Sequence, residues 1–131
     1  MSLTMQGVLS FAYAKLKRQG RRAYGKDPNT LAGICKYLVT EGPNKGDRCA
    51  IGHFATKDEI QVLKDIFCNF EKLTGDQVPE VLREFVNDHP EDGEVFLIDI
   101  QRAHDEAEDD LSDLLERFNQ VARRWDLKEI Q

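Results

Sequence analysis

The chain has 131 residues, 40% hydrophobic and 32% charged, with a formal net charge of -6. That length supports one hydrophobic core, so residues 1–131 are read as a single domain. No apolar run reaches the roughly 18 residues of a membrane helix and no low-complexity tract is present, which excludes a spanning segment and a repetitive chain.

Residues 1–4 are read as a leader or a disordered start, and MSLTMQGVLS lacks the basic cluster and apolar core of a secretory signal. Three cysteines, Cys35, Cys49 and Cys68, are an odd number in a chain large enough to fold without staples. Reduced thiols and a cytoplasmic setting are expected; a Cys35–Cys49 disulfide would need a hairpin that sets the two opposite one another.

From Met5 the residues Val8, Leu9, Ala12 and Leu16 fall on one helical stripe, and Gly20 is the expected stop. RRAYGKDPNT reads as a loop that stays basic and aromatic. Residues 33–52 change character: Ile34–Val39 have strand chemistry, Glu41–Gly46 is dense in turn formers, and Arg48–Ile51 resumes with apolar residues. A small β-hairpin is the first reading. Its rival is a short helix from near Asp47 in which Cys49, Gly52 and His53 share a face.

Thr56 and Glu59 form a capping box ahead of a helical face that runs through Ile60, Leu63, Ile66, Phe67, Phe70 and Leu73 to Gly75. A shorter helix fits Pro79–Asp88, with Val78, Val81, Leu82, Phe85 and Val86 inward, and His89-Pro90 breaks it. Phe96, Ile100, Ala103, Ala107, Leu111, Leu114, Phe118, Val121 and Trp125 then trace one long stripe. Unbroken, it would span about 45 Å at 1.5 Å per residue. It must therefore bend near Glu108–Asp110, where Asp110 could cap a second helix, or pack its far end on a second copy in a homodimer. The expected class is α+β and mainly α: four to five helices with one hairpin near 33–52.

Charge is unevenly placed. Residues 1–26 hold Lys15, Lys17, Arg18, Arg21, Arg22 and Lys26 without an acid, whereas Glu91–Glu116 holds eleven acids against Arg102 alone. Internal pairing of the two regions is the default expectation. Arg18, Arg21, Arg22, Tyr24 and Tyr37 are the candidate binding residues, because cations with interleaved aromatics suit a polar partner. Tyr13 belongs to the same interleaving, and the acidic face could instead meet a basic protein surface.

Three constellations carry potential chemistry. His104-Asp105, with His53, His89 and Asp126, has the composition of an HD-type metal-dependent phosphohydrolase, in which imidazoles and carboxylates hold a divalent metal. Against it, His104 sits beside Ala103 at the edge of the apolar stripe, where a half-buried structural histidine is ordinary. Cys49 with His53 could form a thiol-imidazole pair, although Ala50-Ile51-Gly52 suits a packed cysteine as well. Cys35-x13-Cys49-x3-His53, completed by His89 or Cys68, offers zinc ligands but only one close pair. The candidate catalytic residues are thus Cys49, His53, His104 and Asp105, and the candidate metal ligands His53, His104 and Asp105. No cofactor is required by the sequence; a divalent metal stays open.

Cys35-Lys36-Tyr37, Gly42–Gly46, Arg48-Cys49-Ala50-Ile51-Gly52, Ile100-Gln101-Arg102-Ala103-His104-Asp105 and the stretch Phe118–Trp125 follow one another in a recognisable order, with Arg18–Arg22 leading in. This order resembles a family of small phage-encoded proteins of unknown function, and it departs from them between Thr56 and Gly93. The resemblance implies a phage or prophage origin, a host-cytoplasmic setting and no activity to carry over. It also gathers Cys49, Gly52, His104 and Asp105 as the positions of a shared site or a shared packing joint. The expected function is a small accessory protein that binds a macromolecule, a host or phage protein ahead of nucleic acid and with no membrane role. The alternative is a metal- or thiol-dependent hydrolase of the phosphoester class.

Overall fold

A computed structural model describes residues 3–21, 24–26, 33–35, 37–40, 45–63, 78–107 and 111–131. The architecture is mainly helical, with five α-helices among these residues: α1 (Met5–Gln19), α2 (Lys57–Leu63), α3 (Glu80–Asp88), α4 (Gly93–Glu106) and α5 (Leu111–Arg124). No helix among them is long and apolar enough to cross a membrane.

Helix α1 begins where the Thr4 hydroxyl accepts from the Gly7 amide at 2.9 Å. It ends at Gly20, whose φ of 92° is a left-handed conformation that side chains resist. Between these caps the expected stripe of Val8, Leu9, Ala12 and Leu16 is fully buried. Tyr13 joins it, packed 5.8 Å from Phe118, and so is no stacking platform for a ligand.

The long carboxy-terminal stripe is broken. Ala107 leaves helical space with ψ 144°, and α5 returns antiparallel to α4. Phe96 near the start of α4 meets Trp125 beyond the end of α5, edge to face at 5.3 Å, and Glu106 at the far end of α4 reaches Arg117. The proposed bend residues Glu108–Asp110, with the suggested Asp110 cap, lie outside the described residues. A helical hairpin buries both halves of the stripe within one chain, each large side chain contributing about 1.5–3 kcal/mol. Helix α1 packs across this hairpin, and α3 closes on α4 through Phe85 and Phe96, 6.0 Å apart.

The hairpin expected at 33–52 is present only in part. Residues 24–26 (β1) and 33–35 (β2) pair antiparallel over three residues, so the first arm finds a partner upstream. Downstream, Leu38 and Arg48 form a single antiparallel bridge, with Val39 N–H donating to the Asp47 carbonyl at 2.9 Å. The second arm does not continue through Ile51. It coils into one 3₁₀ turn, Gly52–Phe54, because the Arg48 guanidinium donates to the carbonyls of Gly52 (3.4 Å) and Ala55 (2.9 Å) and ties the turn off. The rival helix from Asp47 is likewise reduced to this turn.

The capping box forms as expected: Thr56 N–H donates to Glu59 Oε1 at 2.8 Å, and Glu59 N–H to the Thr56 hydroxyl at 3.2 Å. Beyond Leu63 that face, through Leu73 and Gly75, lies outside the described residues. Glu59 does more than the sequence suggests, since its Oε2 also accepts from the Glu80 amide at 2.7 Å. One carboxylate thus serves the amino ends of α2 and α3, where helix dipoles favour negative charge. Burial pushes the Glu59 carboxyl up, but the Thr56 and Glu80 amides, the Thr56 side chain and Arg83 outweigh it and hold it below the ordinary value. A carboxyl with a depressed folded pKa stabilises above its unfolded pKa and stops doing so as pH falls through the folded value. Glu59→Gln is therefore expected to cost about 1 kcal/mol near neutrality. In urea titrations the gap between variant and wild type should close as the medium is acidified below pH 4.5.

Candidate functional site

The region between the 3₁₀ turn, α1 and α4 brings most of the candidate residues together. Gln19, near the end of α1, holds Arg48 at two points: the Arg48 amide donates to Gln19 Oε1 at 2.7 Å, and Gln19 Nε2 donates to the Arg48 carbonyl at 3.1 Å. From α4, Gln101 Oε1 accepts the Ile51 amide at 3.1 Å, and Gln101 Nε2 donates to Asp105 Oδ1 at 2.8 Å. The same carboxylate oxygen lies 2.9 Å from His104 Nδ1. Because a carboxylate only accepts, this contact places a proton on Nδ1.

Cys49 and His104 are both 0% exposed. The Cys49 thiol sulfur accepts from the Gly52 amide at 3.2 Å, and its backbone carbonyl accepts from the His53 amide at 3.1 Å. Cys49 is a free thiol, so the Cys35–Cys49 disulfide does not form. Gly52 is where the backbones meet most closely: a Cβ there would fall 2.5 Å from the Tyr37 carbonyl oxygen. Cys49, Gly52, His104 and Asp105 therefore belong to one packed junction between turn and helix.

His53 is different. Its ring reaches a shallow cleft of about 400 Å³ that is also lined by Lys15, Arg18, Gln19, Asp47 and Arg48, while its Nε2 is closed off from solvent without a hydrogen-bond partner. Burial, then the positive charge of Arg48, His104 and Lys15, lowers its pKa to about 4. Asp47 is pushed up by burial and held down by Arg21, which grips it at 2.6 and 3.1 Å.

The remaining candidates disperse. Tyr37 is fully buried and cannot serve as an accessible binding residue, because the turn after Arg48 covers it. Arg21 is committed to Asp47, and Arg18 faces the cleft. Arg22, Cys68 and the side chains of Tyr24 and Cys35 lie outside what the structure describes. His89 stacks on Phe85 at 4.5 Å at the α3–α4 corner, and Asp126 lies just past α5, where its φ is 56°. Among the described residues no three His, Cys, Asp or Glu side chains are grouped to hold a metal.

Two features escaped the sequence. One is the set of buried amides, with Gln101 2% and Asn119 8% exposed; the only signal was their place beside Ile100 and Phe118 on apolar faces. The other is where the charges go. Four acids of α4 and α5 are met by arginines of α5: Glu106 and Asp113 by Arg117, Glu116 by Arg123, and Asp99 by Arg124. Among the described residues no ion pair joins them to the basic end of α1, so the expected internal neutralisation gives way to local pairing. A scan against protein-family models and searches of curated proteins and of solved structures found no match to this chain.

Two outcomes follow from this geometry. Gly52→Ala is expected to lower unfolding free energy in urea by about 2 kcal/mol, as backbone must move to admit the methyl group. His53 binds a proton more readily unfolded, at its ordinary 6.5, than folded, at about 4, so stability is full above the first value and declines toward the second. Wild type should lose about 2 kcal/mol between pH 7.5 and 5, and His53→Gln should remove most of that loss.

Proposed function

We propose that this chain is a small phage or prophage accessory protein, working in the host cytoplasm by binding a macromolecular partner, a host or phage protein, and not by catalysis. The carrying observation is the burial of Cys49 and His104 in the packed junction. A nucleophilic thiol must be reachable, and a general base must lie within hydrogen-bond reach of a substrate proton. Here the sulfur receives a backbone amide and the His104–Asp105 pair is tied by Gln101 to the Ile51 backbone, so these groups join two elements. The ordered likeness to small phage proteins supports the same reading, because four of its positions coincide with that junction. In this reading the short bridge at Leu38 and Arg48 is the reduced form of the expected hairpin and makes the domain α+β.

The hydrolase alternative rests on His104-Asp105 being hydrogen-bonded and on His53 lining a cleft. Tagged protein recovered from expressing cells, with bound chains identified and quantified by mass spectrometry, should carry one partner near stoichiometric amount, and that partner should bind again when both are purified. Turnover of phosphodiester or phosphomonoester substrates by the pure protein, abolished by His53→Ala or His104→Ala, would reverse the assignment.

A further inference from the structure

The geometry points to the cleft between the end of α1 and the 3₁₀ turn as a binding site for a phosphate-bearing ligand, held by Lys15, Arg18 and Arg48 with His53 at its wall. This goes beyond the partner-binding reading and does not depend on it.

Three cations line the cleft, and among the described residues no carboxylate pairs with any of them. The one acid in the lining, Asp47, is already engaged by Arg21, so it does not cancel them. The cleft thus gathers three cations at one place in a chain of net charge -6, whereas the arginines of α5 all find carboxylates. Arg48 is also held in place: Gln19 fixes its backbone, and its guanidinium is oriented by the Gly52 and Ala55 carbonyls. Those carbonyls take the Nη1 side of a planar group with five donors, and a phosphate accepts from the rest in the geometry guanidinium favours. Lys15 and Arg18 lie one helical turn apart on α1, on the face that borders the turn. His53 stands in the wall of the same cleft, and after burial the positive charges of Arg48, His104 and Lys15 lower its pKa, in keeping with the cations gathered there. The volume, about 400 Å³, lies within the range of small-ligand pockets.

Two sources offer this chemistry, a free phosphate compound and the backbone of a nucleic acid. Calorimetric titration of the full chain with inorganic phosphate, pyrophosphate and a short single-stranded oligonucleotide separates them. Saturable pyrophosphate binding is expected with a dissociation constant below about 1 mM at low salt, weakening as salt rises. An oligonucleotide binding at least tenfold tighter than pyrophosphate assigns the site to a polymer; equal or weaker binding assigns it to a small phosphate compound. The double variant Lys15→Gln/Arg18→Gln changes side chains that make no described ion pair, so circular dichroism should show an unchanged fold while affinity falls by about tenfold or more. The site is overturned if none of the three ligands binds, or if the folded double variant binds them as well as wild type does. It would remain overturned even if a protein partner were recovered from cells.

Discussion

Side-chain carboxamides hold the irregular parts of this protein to its helices. A carboxamide carries a donor and an acceptor in one plane, as a peptide unit does, so it can receive the N–H and engage the C=O of a single residue in a passing segment. Gln19 does this to Arg48, Gln6 to Lys128 (2.8 and 3.2 Å), and Asn119 to Ile130 (2.7 and 3.2 Å). Gln101 uses one end on the Ile51 amide and the other on Asp105. Buried backbone polar groups need partners, and among the described residues little of the non-helical backbone finds them in a sheet. The helices act as the missing neighbouring strand, and the turn that carries Cys49, Gly52 and His53 is positioned by two of them at once.

That arrangement explains why the charges separate as they do. The helical hairpin of α4 and α5 places Asp99 and Glu106 of one helix within reach of Arg124 and Arg117 of the other, so the arginines of α5 are taken up locally. Exposed pairs of this kind contribute about 0–1 kcal/mol each, and their larger effect is on what remains unpaired elsewhere. Helix α1 contributes its apolar stripe to the same core but turns the cations of its last turns toward the 3₁₀ turn. A net acidic protein therefore keeps a small positive recess.

The parts legible in the sequence were those in which a local rule and the tertiary demand agree. Gly20, Thr56, Glu59 and His89-Pro90 are boundary signals whose chemistry acts over four residues, and each marks a boundary in the structure, whereas the Thr4 cap lay in a stretch read as a leader. The apolar stripes of α1 and of α4 with α5 were equally plain, with a break between the last two as one of two readings, the other being a second copy against the far end. The stretch at 33–52 misled because its residues suit strands while two amides of its second arm bond distant side chains: Ile51 with Gln101, Arg48 with Gln19. Partners that far away leave no periodic trace. The candidate site was half legible for the same reason. Cys49, Gly52, His104 and Asp105 were grouped by pattern, but whether they open to solvent depends on Gln101, which composition presents as one more polar residue.

The bond between Gln6 and Lys128 joins the first helix to the tail beyond the last. During synthesis α1 leaves the ribosome about 90 residues ahead of α5, a delay of roughly 5–20 s at ordinary translation rates. The stripe of Val8, Leu9, Ala12 and Leu16 lacks the part of its cover that α5 supplies until that interval has passed. The hairpin of α4 and α5, by contrast, can close as soon as its own residues emerge, since its contacts are local. Newly made chains thus carry an amphipathic, basic first helix with part of its apolar stripe open until the last helix arrives.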